Sequence, residues 1–121
     1  MSKKLNMSID DIIQALESNL HSRKGKSSEA SYVASLYNKG LNKILEKVGE
    51  EATEVILAAK DCDDSTETKA NLVNECADLF FHTSVALSHL DIPLSDLFHA
   101  LEKRLGTSGH EEKANRINHT H

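Results

Sequence analysis

Two acidic clusters, Glu50-Glu51-Ala52-Thr53-Glu54 and Glu75-Cys76-Ala77-Asp78, decide the fold of this 121-residue chain. Each cluster lies inside a stretch that predicts a long α-helix, and a short polar break, Asp61-Cys62-Asp63-Asp64-Ser65, separates the two stretches. Two antiparallel helices joined at this break would bring the clusters face to face. The sequence therefore predicts an all-α fold built around this helix pair.

The first of these helices is predicted to run from Leu41 to Lys60 and to carry its acids on one flank. At about 100° per residue, its apolar residues form a single stripe: Leu41, Ile44, Leu45, Val48, Ala52, Val55, Ile56 and Ala59. Glu51 lies at the edge of that stripe. The same flank continues through Lys43, Lys47, Glu50 and Glu54. The acids and two lysines therefore gather on one side instead of scattering.

The second helix, predicted from Glu67 to Leu90, is apolar nearly all round. Its one narrow polar face consists of Asn71, Glu75, Asp78 and His82. A helix of this kind is normally buried, so we expect Glu75 and Asp78 to point into a cleft. His82 is a candidate metal ligand, a residue that supports the ligands, or a buried structural histidine. We rank support first because the carboxylates supply enough oxygen atoms.

The acids favour a metal site over an ordinary solvated face. Like charges three residues apart on a helix are destabilising by about 0.2–0.5 kcal/mol, and partial burial makes unpaired carboxylates more costly. A divalent cation would remove both penalties, and oxygen ligands suit Mg²⁺ or Mn²⁺ better than Zn²⁺. Glu-x-x-Glu alone is common, but it is rarer when Glu-x-x-Asp follows on a mostly apolar helix. The predicted ligands are Glu51, Glu54, Glu75 and Asp78.

These residues also carry a resemblance to a known family. Lys47–Glu54 followed by Glu75–Asp78 resembles the all-α nucleoside-triphosphate pyrophosphohydrolases of the MazG-like type, and most closely the phosphoribosyl-ATP pyrophosphohydrolases of histidine biosynthesis. The resemblance spans Ile9 to Arg104. Its further segments are Ser31–Leu36, Gly40, Lys43, Leu79–His82, Leu94–Leu97 and Leu101–Arg104. It implies a dimeric bundle of about four to five helices that binds Mg²⁺ and a nucleotide.

The resemblance implies a reaction as well. The family hydrolyses 1-(5-phosphoribosyl)-ATP to 1-(5-phosphoribosyl)-AMP and pyrophosphate, the second step of L-histidine biosynthesis. Glu50 or Glu51 would take the proton of the attacking water. Lys43 and Lys47 would offset the charge that develops on the phosphates.

The substrate contacts that the resemblance implies begin with Ser31 and Tyr32, although Tyr32 is equally well explained as a core residue. The basic loop Arg23–Ser28 precedes them. By itself such a loop is usually a solvated turn, but Arg23 and its neighbours are the positive charges available for the second ribose phosphate. We therefore expect the enzyme to prefer phosphoribosyl-ATP over plain ATP.

Helix caps predict the remaining elements. Ser8 begins a first helix that ends at Ser22, and Ser27 or Ser28 begins a short second helix that Gly40 ends. Ser95 or a neighbour begins a last helix that runs to Leu105 and ends at Gly106. Residues 1–106 are predicted to form one domain, and the polar residues 107–121 to form a tail that is disordered or ordered only by a partner. Gly49 costs its helix about 1 kcal/mol relative to alanine, so we expect another backbone to approach it closely.

The amino-acid composition narrows the possible partners of the protein and its cellular compartment. A formal charge of −5 argues against general nucleic-acid binding, which favours a basic surface. Cys62 and Cys76 form neither a disulfide framework nor a zinc pattern, so a reducing cytoplasm is predicted. The first residues lead straight into an amphipathic helix and do not predict a signal peptide. The chain has no apolar run of membrane-spanning length.

Three other functions would explain parts of this pattern, and the apolar surfaces predict an oligomeric state. A house-cleaning nucleoside-triphosphate pyrophosphohydrolase would share the metal site, and a dimeric helical adaptor would need no metal. A di-iron carboxylate protein would carry Glu-x-x-His, whereas this chain has Glu54 and Asp78 at those positions. The apolar surface of the second helix, together with Leu57 on the far side of the first, predicts a homodimer.

Overall fold

The computed structural model describes residues 5–106, and the regular secondary structure within that range is entirely helical. The five helices are α1 (Ile9–Ser22), α2 (Tyr32–Lys39), α3 (Leu41–Asp61), α4 (Thr66–His89) and α5 (Leu94–Leu105). The predicted all-α bundle is confirmed. The prediction for residues 107–121 lies outside the described residues. Each of these five helices is too short or too polar to cross a membrane.

Serine caps begin three of the helices. The hydroxyls of Ser8, Ser31 and Ser65 each accept a hydrogen bond from the backbone N–H three residues on, at 3.0, 3.0 and 3.2 Å. The prediction that Ser27 or Ser28 caps α2 is wrong. Residues 27–30 instead form a turn that the Ala30 N–H closes onto the Ser27 carbonyl at 3.0 Å. The helix α2 therefore begins only after Ser31.

Gly40 ends α2 as predicted, and it also begins α3. Its φ of +96° lies in the region that glycine adopts without steric cost. Its N–H donates to the Leu36 carbonyl, and its own carbonyl accepts from the Ile44 N–H. Because the two helices share this single residue, the position of α2 is fixed relative to α3.

The helices α3 and α4 form an antiparallel hairpin whose turn is organised by Asp63. One Asp63 carboxylate oxygen accepts hydrogen bonds from the Ser65 N–H and the Thr68 hydroxyl, both at 2.8 Å. Hydrogen bonding by the Ser65 side chain, together with the bonds from the Ser65 N–H and the Thr68 hydroxyl, lowers the pKa of Asp63 to about 2. The polar break of the sequence is therefore an ordered turn that sets the pairing of the two long helices.

The hydrophobic core lies toward one end of this hairpin. Four helices contribute its buried residues, which are Leu20, Leu36, Ile44, Val85 and Ala86. Leu16, Val33, Tyr37 and Phe81 pack against them. The core therefore joins the beginning of α3 to the end of α4, and the turn end of the hairpin depends chiefly on contacts between α3 and α4.

Burial along the hairpin differs from the prediction. Val73 is 65% exposed although α4 was expected to be buried nearly all round, and Ile56, assigned to the buried stripe of α3, is 61% exposed. The inward face of α3 instead follows Ile44, Val48, Glu51, Val55 and Ala58. Each long helix packs mainly against the other, so only one side of each is covered. The expected close approach at Gly49 is also wrong, because the space around its Cα is open.

Candidate active site

Three carboxylates converge between the two central helices. Glu51 of α3 and Glu75 and Asp78 of α4 each offer an oxygen, and these oxygens all lie within 4.8 Å of one another. The hairpin therefore brings the two acidic clusters face to face, as the sequence predicted. Glu51 and Glu75 are half-buried. Asp78 is exposed, so the expectation of a closed cleft is wrong for this residue, because α3 shields only one side of α4.

The pKa of Glu75 is raised within this group. Partial withdrawal from water raises its pKa, and the negative charges of Glu54, Asp78 and Glu51 raise it further. A divalent cation would turn this mutual repulsion into attraction. The group could therefore bind a metal, and a donor set made only of carboxylate oxygens fits Mg²⁺ or Mn²⁺.

The other predicted acids lie beside this group and outside it. Glu54 is exposed, yet its charge reaches Glu75. The carboxylate of Glu50 instead accepts a hydrogen bond from Lys47 Nζ at 3.0 Å. That bond, followed by the Glu50 charge itself, raises the pKa of Lys47. Glu50 and Lys47 thus form an ion pair next to the three carboxylates.

Lys43 is placed differently from Lys47. Its ammonium group lies 3.4 Å from a carboxylate oxygen of Glu46, an acid outside the three-carboxylate group. Both partners are substantially exposed, and surface pairs of this kind exchange readily with solvent. Lys43 therefore lies on the predicted flank but is turned toward its outer edge.

Tyr32 of α2 lies beside the same flank. Its pKa is raised, first by burial of the phenol and then by the charges of Glu51 and Glu50, while Lys47 opposes the shift. The Tyr32 hydroxyl is 2.8 Å from Nε2 of His82. Nδ1 of His82 is in turn 2.8 Å from the backbone carbonyl oxygen of Asp78. His82 thus connects the backbone of its own helix, α4, to Tyr32 of α2, and its role in supporting the ligands stays a prediction.

A cavity of about 310 Å³ adjoins Tyr32. It lies between α1, the start of α2 and α4, and it contains three of the predicted substrate contacts. Its walls are Leu16, Asn19, Leu20, Arg23, Ser31, Tyr32, Val33 and Phe81. The lining therefore combines apolar side chains with residues that carry hydroxyl, amide and guanidinium groups.

The basic loop does not act as one patch. Arg23 lines the cavity, but Lys24 Nζ lies 2.7 Å from the Asp91 carboxylate. Lys24 and Asp91 line a second cavity, of about 200 Å³, with residues of α1 and α5. Of the predicted positive cluster, Arg23 is thus the member that lines the cavity beside Tyr32.

Sequence reasoning missed Asn19 and did not foresee the bond between Tyr32 and His82. Asn19 is an exposed polar residue on an amphipathic helix, and such residues are ordinary there. Tyr32 and His82 are separated by 50 positions, so only the packing of α2 against α4 brings them together. The spacing of His82 four residues after Asp78 was the one available signal.

Comparison with known proteins points in one direction. A family model described as phosphoribosyl-ATP pyrophosphohydrolase matches residues 13–105. A phosphoribosyl-ATP pyrophosphatase of Hydrogenovibrio crunogenus is 57% identical over 107 residues, which cover 88% of this chain and 94% of the relative. The protein of the same name from Geobacter sulfurreducens is 52% identical with the same coverage. That from Burkholderia thailandensis is 51% identical over 88% of this chain and 86% of its own.

Proposed function

The chain belongs to the phosphoribosyl-ATP pyrophosphohydrolase family, and we propose that the acidic group between α3 and α4 is where it performs the reaction. It hydrolyses 1-(5-phosphoribosyl)-ATP to 1-(5-phosphoribosyl)-AMP and pyrophosphate, a step of L-histidine biosynthesis. The observation that carries the location is the convergence of Glu51, Glu75 and Asp78 within 4.8 Å.

Glu51, Glu75 and Asp78 are the proposed metal ligands, and Glu54 is the proposed fourth. When Mg²⁺ is bound, it supplies Lewis-acid polarisation of the phosphoryl oxygens and orientation of the attacking water. Mn²⁺ accepts the same donors. Glu54 is included because it lies on the same flank of α3 and its charge acts on Glu75.

Glu50 is the proposed general base. It lies next to the proposed ligands without belonging to the three-carboxylate group, so the carboxylate oxygen that does not accept from Lys47 remains available for a proton. Glu51 is the other acid considered for this role, but its oxygen is committed to the group. Lys47 holds Glu50 at 3.0 Å and, with Lys43, offsets negative charge that develops on the phosphates.

The cavity beside Tyr32 is the proposed site for the part of the nucleotide that does not react. Arg23 supplies the charge for a phosphate group, and Ser31 and Tyr32 supply hydroxyls. The triphosphate would then follow the flank of α3 from Lys43 past Lys47 to the acids. Arg23 gives the substrate with a second ribose phosphate a contact that plain ATP lacks.

A homodimer and a cytoplasmic setting complete the proposal. Large apolar side chains of the hairpin that a partner could cover are Leu45, Ile56, Leu57, Val73 and Phe80. Cys62 and Cys76 are both free, as suits a reducing compartment. We take residues 1–106 as the catalytic unit, since the family match ends at residue 105 and α5 ends at Leu105.

The test is phosphorus NMR of the products from phosphoribosyl-ATP and from ATP in the presence of Mg²⁺. Intact pyrophosphate from phosphoribosyl-ATP, with little turnover of ATP, is the expected result. Asp78→Asn and Glu54→Gln should each reduce turnover by about 100-fold or more without unfolding the protein, whereas Lys60→Ala, on the far side of α3, should not. Orthophosphate as the first product, or equal use of ATP, would assign a different phosphohydrolase, such as a house-cleaning enzyme.

A further inference from the structure

A chain of two hydrogen bonds connects the metal-site helix to the substrate cavity. His82 joins the Asp78 backbone carbonyl to the Tyr32 hydroxyl, with both distances 2.8 Å. The imidazole is 6% exposed, and both of its ring nitrogens are engaged. The Phe81 ring meets it edge-on at 5.4 Å between centroids. The position and orientation of His82 are therefore set on several sides.

The direction of these hydrogen bonds follows from their ends. A backbone carbonyl can only accept, so Nδ1 of His82 must carry a proton and donate to Asp78. A neutral imidazole has one ring proton, which leaves Nε2 as an acceptor. The Tyr32 hydroxyl must then donate its only proton to Nε2. Its oxygen lone pairs are what remain for a molecule in the cavity.

We infer that His82 is a positioning residue that makes Tyr32 a hydrogen-bond acceptor toward the substrate, so that Tyr32 selects a donor group, a ribose hydroxyl or an amino group, and not a phosphate oxygen. This inference rests on the proposed function, because it places the nucleotide in the cavity. Ionised phosphate oxygens only accept hydrogen bonds and therefore pair with cations. The site is thus divided, with Arg23 and Lys47 for the phosphates and Tyr32 for the sugar or base.

The exposure of Tyr32 separates this role from simple packing. Tyr32 is 50% exposed and forms part of the cavity wall. Tyr37 shows the contrasting case, since its hydroxyl donates its one proton to the Leu20 carbonyl and accepts a hydrogen bond from the Ser88 hydroxyl, and its ring packs against the core. The raised pKa of Tyr32 also keeps its phenol protonated at neutral pH, as donation to His82 requires.

Steady-state kinetics with phosphoribosyl-ATP and Mg²⁺ tests the inference. Tyr32→Phe should raise KM by about three- to tenfold, the loss of one neutral hydrogen bond, with a smaller change in kcat. His82→Leu should do the same, and the double variant should be no worse than either single one. His82→Gln should recover most of the loss, because its amide oxygen can accept from Tyr32. Tyr37→Phe is the matched control and should leave KM unchanged.

The inference would be overturned if the increases in KM of the two single variants multiplied in the double variant. An unchanged KM in Tyr32→Phe would overturn it as well. Nitrogen-15 NMR of the imidazole rings gives a substrate-free readout in the wild-type chain, with the His82 signals assigned from His82→Gln. A proton on Nδ1 and a bare Nε2 are expected; a proton on Nε2 would refute the acceptor role. An inactive wild-type protein would overturn the proposed function and this inference together. An active protein with the wrong tautomer would overturn this inference alone.

Discussion

At the scale of single residues, Glu75 is a carboxylate whose pKa is raised by its surroundings. It is half-buried, and three other carboxylates raise its pKa in addition to its own desolvation. The folded protein therefore holds a proton on Glu75 more readily than the unfolded chain does. It follows that the contribution of Glu75 to stability is greatest at low pH and is lost as the pH rises through its raised folded-state pKa.

Glu75→Gln should consequently raise the thermal midpoint of the metal-free protein at neutral pH and flatten the gain in stability on acidification. The amide fills the same space but carries no charge to be repelled. In Mg²⁺ the order should reverse, because the variant loses a ligand, and turnover should fall by about 100-fold or more. Thermal melts with chelator and with Mg²⁺ across a pH series measure this. Glu102→Gln, an exposed change on α5, is the matched control. A metal-free variant less stable than wild type would contradict the repulsion.

Arg23 and Lys24 are adjacent in sequence, but their substitution should affect substrate binding differently. Arg23→Gln should raise KM for phosphoribosyl-ATP by about tenfold or more, as expected for a lost charge-assisted hydrogen bond, and should narrow the preference over ATP. Lys24→Gln should leave the KM for phosphoribosyl-ATP and the preference over ATP nearly unchanged, because Lys24 pairs with Asp91 away from the cavity. Parallel KM determinations for the two substrates decide this. Equal effects of the two changes would mean that the loop binds as one patch after all.

At the scale of the elements, the α3–α4 turn determines whether the acidic clusters meet. A shift of one residue in the pairing would rotate Glu51 by about 100° away from Glu75 and Asp78. Asp63, with its hydrogen bonds to Ser65 and Thr68, fixes where α4 begins. The turn is thus as important to the site as the ligands themselves.

Asp63→Asn should lower the thermal midpoint at neutral pH. The folded-state pKa of Asp63 is about 2, below its ordinary value of 3.8, so its contribution to stability is present above about pH 4 and is lost as the pH falls toward 2. The difference between variant and wild type should therefore shrink over that range. Melts from neutral to acid pH measure it, with Asp64→Asn as the matched control. A difference independent of pH would show that the charge is not responsible.

The sequence predicted the elements well because local signals specify them. Ser8 and Gly40 mark helix ends through their own hydrogen bonds or backbone angles, and the spacing of Glu51, Glu75 and Asp78 follows from helical periodicity. The cap at Ser31 was missed because Ser27, Ser28 and Ser31 offer similar signals in the sequence. In the structure, the Ala30 N–H closes a turn over the first two serines, so Ser31 becomes the cap. The pairing of Lys24 with Asp91, over 67 positions, depends on tertiary packing that no local pattern records.

At the scale of the whole molecule, the hairpin leaves large apolar side chains exposed. Ile56 and Val73 are each more than half exposed. Leu57 lies on the far side of α3, where the sequence predicts a contact with a second copy of the chain. Exposed apolar area of this kind is typical of association surfaces. Periodicity could identify these residues as apolar, but it could not distinguish contact within the chain from contact with a second copy.

Ile56→Lys combined with Val73→Lys should convert a dimer into a monomer at micromolar concentration. The charged side chains can remain in water in a single chain, so the helical circular dichroism should persist. Leu105→Lys, a change at an 88% exposed residue of α5, should leave the dimer intact. Sedimentation velocity measures the outcome. A wild-type monomer, or a double-lysine variant that still dimerises, would exclude this surface.

The position of the core at one end of the hairpin gives the backbone a gradient of local opening. Amides around Val85 are released only when the whole core opens, whereas those beside the Asp63 turn need only separation of two helices. Hydrogen–deuterium exchange should therefore quicken along α4 from its end toward its beginning. The three carboxylates lie part of the way along that gradient, on both helices at once. A cation bound there would hold the two helices together. It would slow hydrogen–deuterium exchange most at the turn beyond the carboxylates, and less at the carboxylates themselves.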